Sequence, residues 1–176
     1  MNYIPLPKEF AQLTKPIDYV NLLKNKIGHD WIYIPITDFL TDEGINFFAS
    51  KKFVLNEKIT LFKCVRGTVG PIHIDTIVNS NNDYAFNFVL SGNGTMEWLS
   101  DIKGKCLISN ANNGHYLVYK DVESCNVTES WSGDLALVKI NLPHRVVAFD
   151  TDRYCVSVRT VPGSFPKTFE DAVNMI

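Results

Sequence analysis

Between residues 54 and 161 the chain consists of short apolar segments separated by turn residues. The apolar segments cover residues 60–65, 72–78, 84–90, 95–99, 116–119, 135–140, 144–149 and 154–161. Runs rich in Asn, Gly, Ser and Asp lie at 79–83, 91–94 and 110–114, and residues 121–134 are also predicted as a loop. Segments of this length and spacing indicate strands. They favour a β-sandwich or barrel over a parallel α/β sheet, and the sequence therefore predicts a mainly β protein.

Helical patterns flank this β region. Apolar residues at helical spacing predict a helix over 17–23, and the alternating segment 31–36 predicts a strand. Thr41 is a suitable N-cap for a second helix, and Thr168 for a short C-terminal one. Because there is no linker composition, we predict a single domain, 1–176. It divides into an N-terminal α/β flank (1–53), a β core (54–161) and a C-terminal helix (162–176).

A possible metal-binding group begins at His73 and Asp75. In a strand these two side chains lie on the same face, because strand side chains alternate. His144 begins a later strand after Leu142-Pro143. Together the three supply two nitrogens and one oxygen, the 2-His-1-carboxylate set of non-heme Fe(II) oxygenases. The alternative is a surface histidine, a turn-forming aspartate and an unrelated structural histidine.

The strand that follows His144 carries two arginines on one face. In residues 153–159 the odd positions share a face, and they are Arg153, Cys155, Ser157 and Arg159. A solvated outer face would explain this pattern. A guanidinium also binds a carboxylate through two parallel hydrogen bonds, and the small Cys155 and Ser157 leave room for a ligand between the arginines. The face therefore suits a dicarboxylic cosubstrate.

The order His-x-Asp, His, Arg resembles that of the Fe(II)/2-oxoglutarate-dependent dioxygenases. Residues 144–159 are similar to the distal His and Arg strand of prolyl-hydroxylase-like members, in which an Arg nine residues after the His binds 2-oxoglutarate. The Arg-x5-Arg spacing is similar to that of the nucleic-acid dealkylating branch. Residues 85–92 resemble a strand of aspartyl/asparaginyl-hydroxylase-like small members. The resemblance covers residues 60–161.

This resemblance implies a fold, cofactors and roles for particular residues. The implied fold is a double-stranded β-helix (jelly roll, cupin-like) with N-terminal helices and a short C-terminal helix. The implied activity is hydroxylation of an unidentified small molecule or protein side chain, with decarboxylation of 2-oxoglutarate to succinate. The implied site consists of Fe(II) ligands His73, Asp75 and His144, the cosubstrate anchor Arg153, a second cosubstrate or substrate contact Arg159, and Asn87 beside the cosubstrate or as a structural amide.

Two other function classes remain open. One is a non-catalytic cupin-like jelly-roll protein that binds a metal or ligand, and the other is a structural jelly-roll protein with an accidental motif. A cupin would be expected to carry a further His or Glu near the first ligand pair. The aromatic residues Tyr84, Trp98 and Trp131 would either line a substrate pocket or belong to the core. His29 and His115 lie in loop-like contexts and are expected at the surface.

Composition limits the possible partners. The net charge is −2, so bulk electrostatics do not favour nucleic acid or an anionic membrane. The four cysteines are scattered, and the first residues do not have the pattern of a secretory signal. Reduced thiols and a cytoplasmic location are therefore expected. No apolar stretch approaches the roughly 20 residues of a membrane helix. The oligomeric state and the prime substrate stay undetermined.

Overall fold

The computed structural model describes residues 1–26, 29–75, 82–111 and 114–176, without the side chains at 110, 111, 114 and 115. The strands are β1 (Tyr3–Pro5), β2 (Asp30–Pro35), β3 (Lys58–Cys64), β4 (His73–Ile74), β5 (Tyr84–Ser91), β6 (Gly94–Ala111), β7 (Gly114–Trp131), β8 (Leu135–Lys139), β9 (His144–Ala148) and β10 (Arg153–Val158). The helices are α1 (Tyr19–Leu22), α2 (Asp42–Ser50) and α3 (Phe169–Val173). Short 3-10 segments cover Lys8–Leu13 and Ile36–Asp38.

The strands form two sheets. The first has the order β1-β8-β5-β10-β3-β2, and in the second β4, β7, β6 and β9 form a closed ring of hydrogen-bonded neighbours. From β3 to β10 the chain supplies four strands to each sheet: β3, β5, β8 and β10 to the first, and β4, β6, β7 and β9 to the second. Eight antiparallel strands divided in this way between two sheets form a jelly roll. The predicted mainly β fold, with its short C-terminal helix, is confirmed.

The N-terminal flank extends the first sheet at both edges. β1 pairs with β8 at one edge, and β2 pairs with β3 at the other. The predicted caps are present, since Thr41 Oγ1 accepts from the Gly44 amide at 3.0 Å and Thr168 Oγ1 accepts from the Asp171 amide at 3.1 Å. The helix predicted over 17–23 is shorter, because α1 spans only Tyr19–Leu22. The division of the chain at residue 53 stays a prediction.

The largest core lies between the first sheet and the N-terminal segments, outside the space between the two sheets. Tyr154, Val156 and Val158 of β10 face this core, while the odd-numbered residues of β10 face the second sheet. Aromatic side chains dominate the core, and they include Phe10, Phe39, Phe48, Phe53, Tyr84, Phe86, Phe88 and Phe169. Several rings meet edge to face, as Phe48 and Phe86 do at 4.8 Å between centroids. The alternation of β10 therefore separates an apolar interior from a polar one.

A smaller core fills the other end of the space between the sheets. Trp98 is fully buried there, stacks on Tyr3 at 5.8 Å and donates its indole N–H to the Lys139 carbonyl at 3.0 Å. Trp131 lies in the same cluster, and Tyr84 belongs to the larger core. Of the two alternatives for these three aromatic residues, the core position is therefore the one found.

The hairpin of β6 and β7 is much longer than predicted. Segments 95–99 and 116–119 are parts of two 18-residue strands, and residues 121–131 of the predicted loop 121–134 belong to β7. The register between them shifts three times, and Asp101 and Asp121 have positive φ angles of 50° and 51°. Such bulges bend a hairpin. The start of β6 pairs with β9, while Leu117 and Val118 near the start of β7 pair with β4.

The prediction of a loop over 121–134 was wrong for residues 121–131, because most of the side chains at 121–130 are polar on both faces of an exposed strand. Parts of two other predicted segments, 76–78 and 79–81, lie outside the described residues, as do residues 112–113 of the predicted turn. Within the part of the chain that the structure describes, no helix is long and apolar enough to cross a membrane.

A substitution of Phe48 tests whether the larger core lies between the first sheet and the N-terminal segments. Phe48 is fully buried and contacts Phe10, Phe53 and Phe86. We expect Phe48→Ala to lower the free energy of unfolding by about 3–5 kcal/mol, since it leaves a cavity that the β-sheet cannot close. Urea unfolding followed by circular dichroism measures this loss. Phe149→Ala, at a side chain that is 47% exposed, is the control and should change stability by about 0.5 kcal/mol or less. Equal losses would contradict the assignment.

Candidate functional site

A cleft with a cavity volume of about 300 Å³ opens between the two sheets. Its floor is formed by β3, β5 and β10 of the first sheet, and β4 and β9 of the second sheet cover it. Side chains of β2 and β7 line one side. All six residues proposed from the sequence line this cleft: His73, Asp75, Asn87, His144, Arg153 and Arg159.

Three of them form a compact group. His73 on β4 is the direct cross-strand partner of His144 on β9, and the two rings are 4.3 Å apart. Asp75 follows β4, with Oδ1 3.3 Å from Nε2 of His73 and Oδ2 3.6 Å from Nε2 of His144. One ligand atom from each residue lies within 4.8 Å of the others. Ligands about 2.1 Å from one ion lie about 3–3.5 Å apart, so the group is close to a metal-binding geometry.

Backbone carbonyls hold both imidazoles in the same tautomer. Nδ1 of His73 donates to the Pro71 carbonyl at 2.9 Å, and Nδ1 of His144 donates to the Leu142 carbonyl at 2.8 Å. A carbonyl can only accept, so in each neutral ring the proton is on Nδ1. The Nε2 lone pairs then point towards Asp75. This is the arrangement expected of histidines that bind a metal through Nε2.

The electrostatics of the three groups suit a cation between them. Burial lowers the pKa of His144, and the neighbouring His73 lowers it further. Burial acts in the same direction on His73, but the Asp75 carboxylate outweighs it and raises the pKa of that ring. Without a metal, protonation beside Asp75 is therefore favoured for His73 and disfavoured for His144. A divalent ion would satisfy all three ligands at once.

Arg159 forms an ion pair with Asp75. Its Nη2 donates to Oδ2 of Asp75 at 2.9 Å. Burial would raise the pKa of Asp75, but Arg159 and His73 outweigh it and hold that pKa well below its usual range. The carboxylate is therefore ionised and held in place before any ion binds. The sequence did not reveal this contact, because residues 75 and 159 lie far apart along the chain.

Arg153 lies at the other end of the same face of β10, and no carboxylate among the described residues pairs with it. Its residue is 4% exposed, and its Nη2 is buried without a hydrogen-bond partner among the described residues. The guanidinium lies 5.8 Å from the Trp131 ring. A buried guanidinium is costly unless an anion or acceptor binds it. Arg159 also has a buried nitrogen, Nε, without a partner among the described residues, but it pairs with Asp75 through Nη2, whereas Arg153 forms no ion pair there.

Local structure fixes the position of Arg153. The pairing of β10 with β5 shifts register between Tyr154 and Cys155, directly beside it. A Cβ at Gly94 would overlap the Val147 carbonyl oxygen and would lie 3.1 Å from Cδ of Arg153. Glycine there thus allows the close approach of β6 to β9, and it also leaves the Arg153 side chain its space.

Small polar groups lie between the two arginines. Ser157 and Cys155 are buried on the cleft floor, and burial raises the pKa of the Cys155 thiol, which keeps it protonated. Asn87 is the cross-strand partner of Ser157 and donates its amide N–H to the Met96 sulfur at 3.7 Å. Its carbonyl oxygen is buried without a partner among the described residues. Asn87 thus offers a free acceptor to a ligand.

Sequence reasoning missed one side of the cleft. His29, expected at the surface, lies on the cleft wall, whereas the side chain of His115 is outside those described. Trp31 and Tyr33 of β2 and Tyr116 of β7 also line it. The alternation Trp-Ile-Tyr-Ile in β2 was the available signal, since Ile32 and Ile34 pack on the core and the aromatic residues face the other way.

The sequence matches no protein-family model and no curated protein. Among solved structures it is similar to oxalate decarboxylase of Bacillus subtilis. A tryptophan-to-tyrosine variant is 14% identical with a TM-score of 0.37, over 79% of this chain and 28% of that chain. A serine-to-alanine variant is 13% identical with a TM-score of 0.39, over 88% of this chain and 29% of that chain. The chain thus spans less than a third of the length of those proteins. A likeness at this level indicates no function.

Proposed function

We propose that the protein is an Fe(II)- and 2-oxoglutarate-dependent oxygenase. In the overall reaction a substrate C–H bond, dioxygen and 2-oxoglutarate give the hydroxylated substrate, succinate and carbon dioxide. One oxygen atom enters the product and the other enters succinate, and 2-oxoglutarate supplies two electrons. The observation that carries the proposal is the unpaired, buried guanidinium of Arg153 in the same cleft as the His73, Asp75 and His144 group.

The donor set fits a divalent transition metal. Two neutral imidazole nitrogens and one carboxylate oxygen suit Fe(II), and Mn(II), Co(II) and Zn(II) are accepted by similar sets. The three ligands approach from β4 and β9 on one side, so the remaining coordination positions would face the cleft. When bound, Fe(II) would supply the centre at which dioxygen reacts.

The charges of the cleft fit a dianion. Asp75 is already compensated by Arg159, so a bound divalent ion and Arg153 add positive charge that no described residue of the cleft offsets. 2-Oxoglutarate carries a 2-oxo acid that would bind the metal and a distal carboxylate that Arg153 would bind. Ser157 and Asn87 lie between these positions and would contact the chain of the cosubstrate.

The protein would thus contribute orientation and exclusion of water. Burial of Arg153 keeps the distal carboxylate out of solvent, which strengthens the ion pair. Arg159 would hold Asp75 ionised and fixed as a metal ligand.

The alternative is a non-catalytic jelly-roll protein that binds a metal or ligand. It accounts for His73, Asp75 and His144 equally well. It gives no reason for a buried arginine without a partner on the floor of the cleft. The two functions are separated by the experiments below.

The first test is anaerobic titration of the protein with Fe(II) and 2-oxoglutarate. We expect the weak visible charge-transfer band of a 2-oxo acid bound to Fe(II), and succinate formation when air is admitted. His73→Ala should abolish both, together with Co(II) binding followed by visible absorption. His29→Ala, on the cleft wall outside the metal group, is the matched control and should retain them. Metal binding without the band or succinate in the wild type would support the non-catalytic alternative.

The second test separates the two arginines. Arg153→Ala should weaken 2-oxoglutarate binding by about 100-fold, since it removes a buried charge partner, while Co(II) affinity stays near that of the wild type. The charge-transfer band, titrated with 2-oxoglutarate, measures the first effect. Arg145→Ala is the control, because Arg145 pairs with Glu97 at 2.8 Å and does not line the cleft. If Arg159→Ala weakened cosubstrate binding and Arg153→Ala did not, the assigned anchor would be wrong.

A further inference from the structure

We propose that the prime substrate is a small molecule with an aromatic ring and an anionic group. It would bind at the aromatic mouth, which we define as Trp31, Tyr33, Phe62 and Tyr116, with Lys58 as the partner of its anionic group. This inference rests on the proposed function, since it names the substrate class of the same cleft.

The floor of the cleft changes from small to aromatic side chains across the first sheet. Asn87, Ser157, Thr60 and Tyr33 are consecutive cross-strand neighbours on β5, β10, β3 and β2. Neighbouring strands lie about 4.8 Å apart, so this row is roughly 14 Å long. In the adjacent row, Cys155, Phe62 and Trp31 are also paired in order. Both rows begin with small side chains beneath the metal group and end with aromatic ones at the sheet edge.

Tyr116 of β7 completes the mouth from the second sheet. Its ring meets Trp31 edge to face at 6.2 Å and His73 edge to face at 6.3 Å. One side chain therefore contacts both the mouth and a proposed metal ligand. A single ring, that of Tyr116, thus connects the mouth to the metal group.

Aromatic surface at the mouth is available to a ligand. Tyr33 is 50% exposed, and Trp31 and Tyr116 are partly exposed. Aromatic pairs gain interaction energy beyond their buried area, and ligand sites typically combine aromatic walls with a few polar groups. A flat ring matches these surfaces better than an aliphatic chain does.

Lys58 gives the mouth an unbalanced positive charge. Asp30 pairs with Lys26 at 3.2 Å, and Lys63 pairs with Asp152 at 3.3 Å. Burial lowers the pKa of His29, which keeps it neutral near pH 7. Lys58 is exposed and forms no ion pair among the described residues, and it lies two residues from Thr60 on the same face of β3. A carboxylate or phosphate on the substrate would pair with it.

Calorimetric titration with four probes tests this proposal without turnover. We expect phenylacetate and phenyl phosphate to bind, and cyclohexylacetate and phenylacetamide to bind at least about tenfold more weakly, since each of the latter lacks the ring or the charge. Equal binding of phenylacetate and cyclohexylacetate, or no binding of either aromatic acid, would overturn the proposal. A preference for phenyl phosphate would identify a phosphorylated substrate, and a preference for phenylacetate a carboxylic one.

Variants of the mouth and of Lys58 show which side chains contact the bound acid. Trp31→Ala and Tyr33→Ala should each weaken phenylacetate binding by about tenfold, and Lys58→Ala should remove the preference for phenylacetate over phenylacetamide. Phe149→Ala and Lys8→Ala are matched controls at exposed positions outside the cleft, and they should bind as the wild type does. Unchanged binding of phenylacetate in Trp31→Ala, Tyr33→Ala and Lys58→Ala would contradict the proposal.

The two proposals fail in different ways. Loss of the aromatic preference with the charge-transfer band and succinate formation intact overturns only the substrate class. Absence of the band with the aromatic preference intact overturns the oxygenase and leaves a binding site for aromatic acids.

Discussion

Every residue of β10 is buried, yet the two faces of this strand lie in different environments. Tyr154 and Val156 pack in the aromatic core, while Arg153 and Ser157 face the cleft. A register shift of one residue would place Arg153 among phenylalanine rings at a large cost in desolvation. Because β10 lies between β5 and β3, the packing of the core also fixes the direction of the arginines. The cleft depends on this constraint.

The two arginines of that face differ in their electrostatic environment, although they look equivalent in the sequence. Nη2 of Arg159 pairs with Asp75, a carboxylate that also faces both histidines, although its Nε is buried without a partner among the described residues. Arg153 is more deeply buried and forms no ion pair among the described residues, and its Nη2 has no hydrogen-bond partner there. One positive charge thus stabilises the proposed metal group, and the other is available to a ligand.

Local signals predicted much of this fold. Thr41 and Thr168 cap helices as expected, and the eight strands of the jelly roll lie where apolar segments were found. The extent of β6 and β7 could not be predicted, since exposed strands with polar residues on both faces have no hydrophobic alternation. The aromatic side of the cleft was missed for another reason. Its residues come from β2, β3 and β7, and only the sheet pairing brings them together.

The sequence alone determined which side chains are candidate metal ligands, the alternation of β10 and the order of the strands along the chain. These features depend on neighbouring residues. The tertiary structure decided which groups meet. It paired His73 with His144, brought Arg159 to Asp75 and left Arg153 with a free buried nitrogen. Contacts between residues 70 or more positions apart depend on how two sheets pack, and the packing energy is shared by the whole core, so no short segment encodes them.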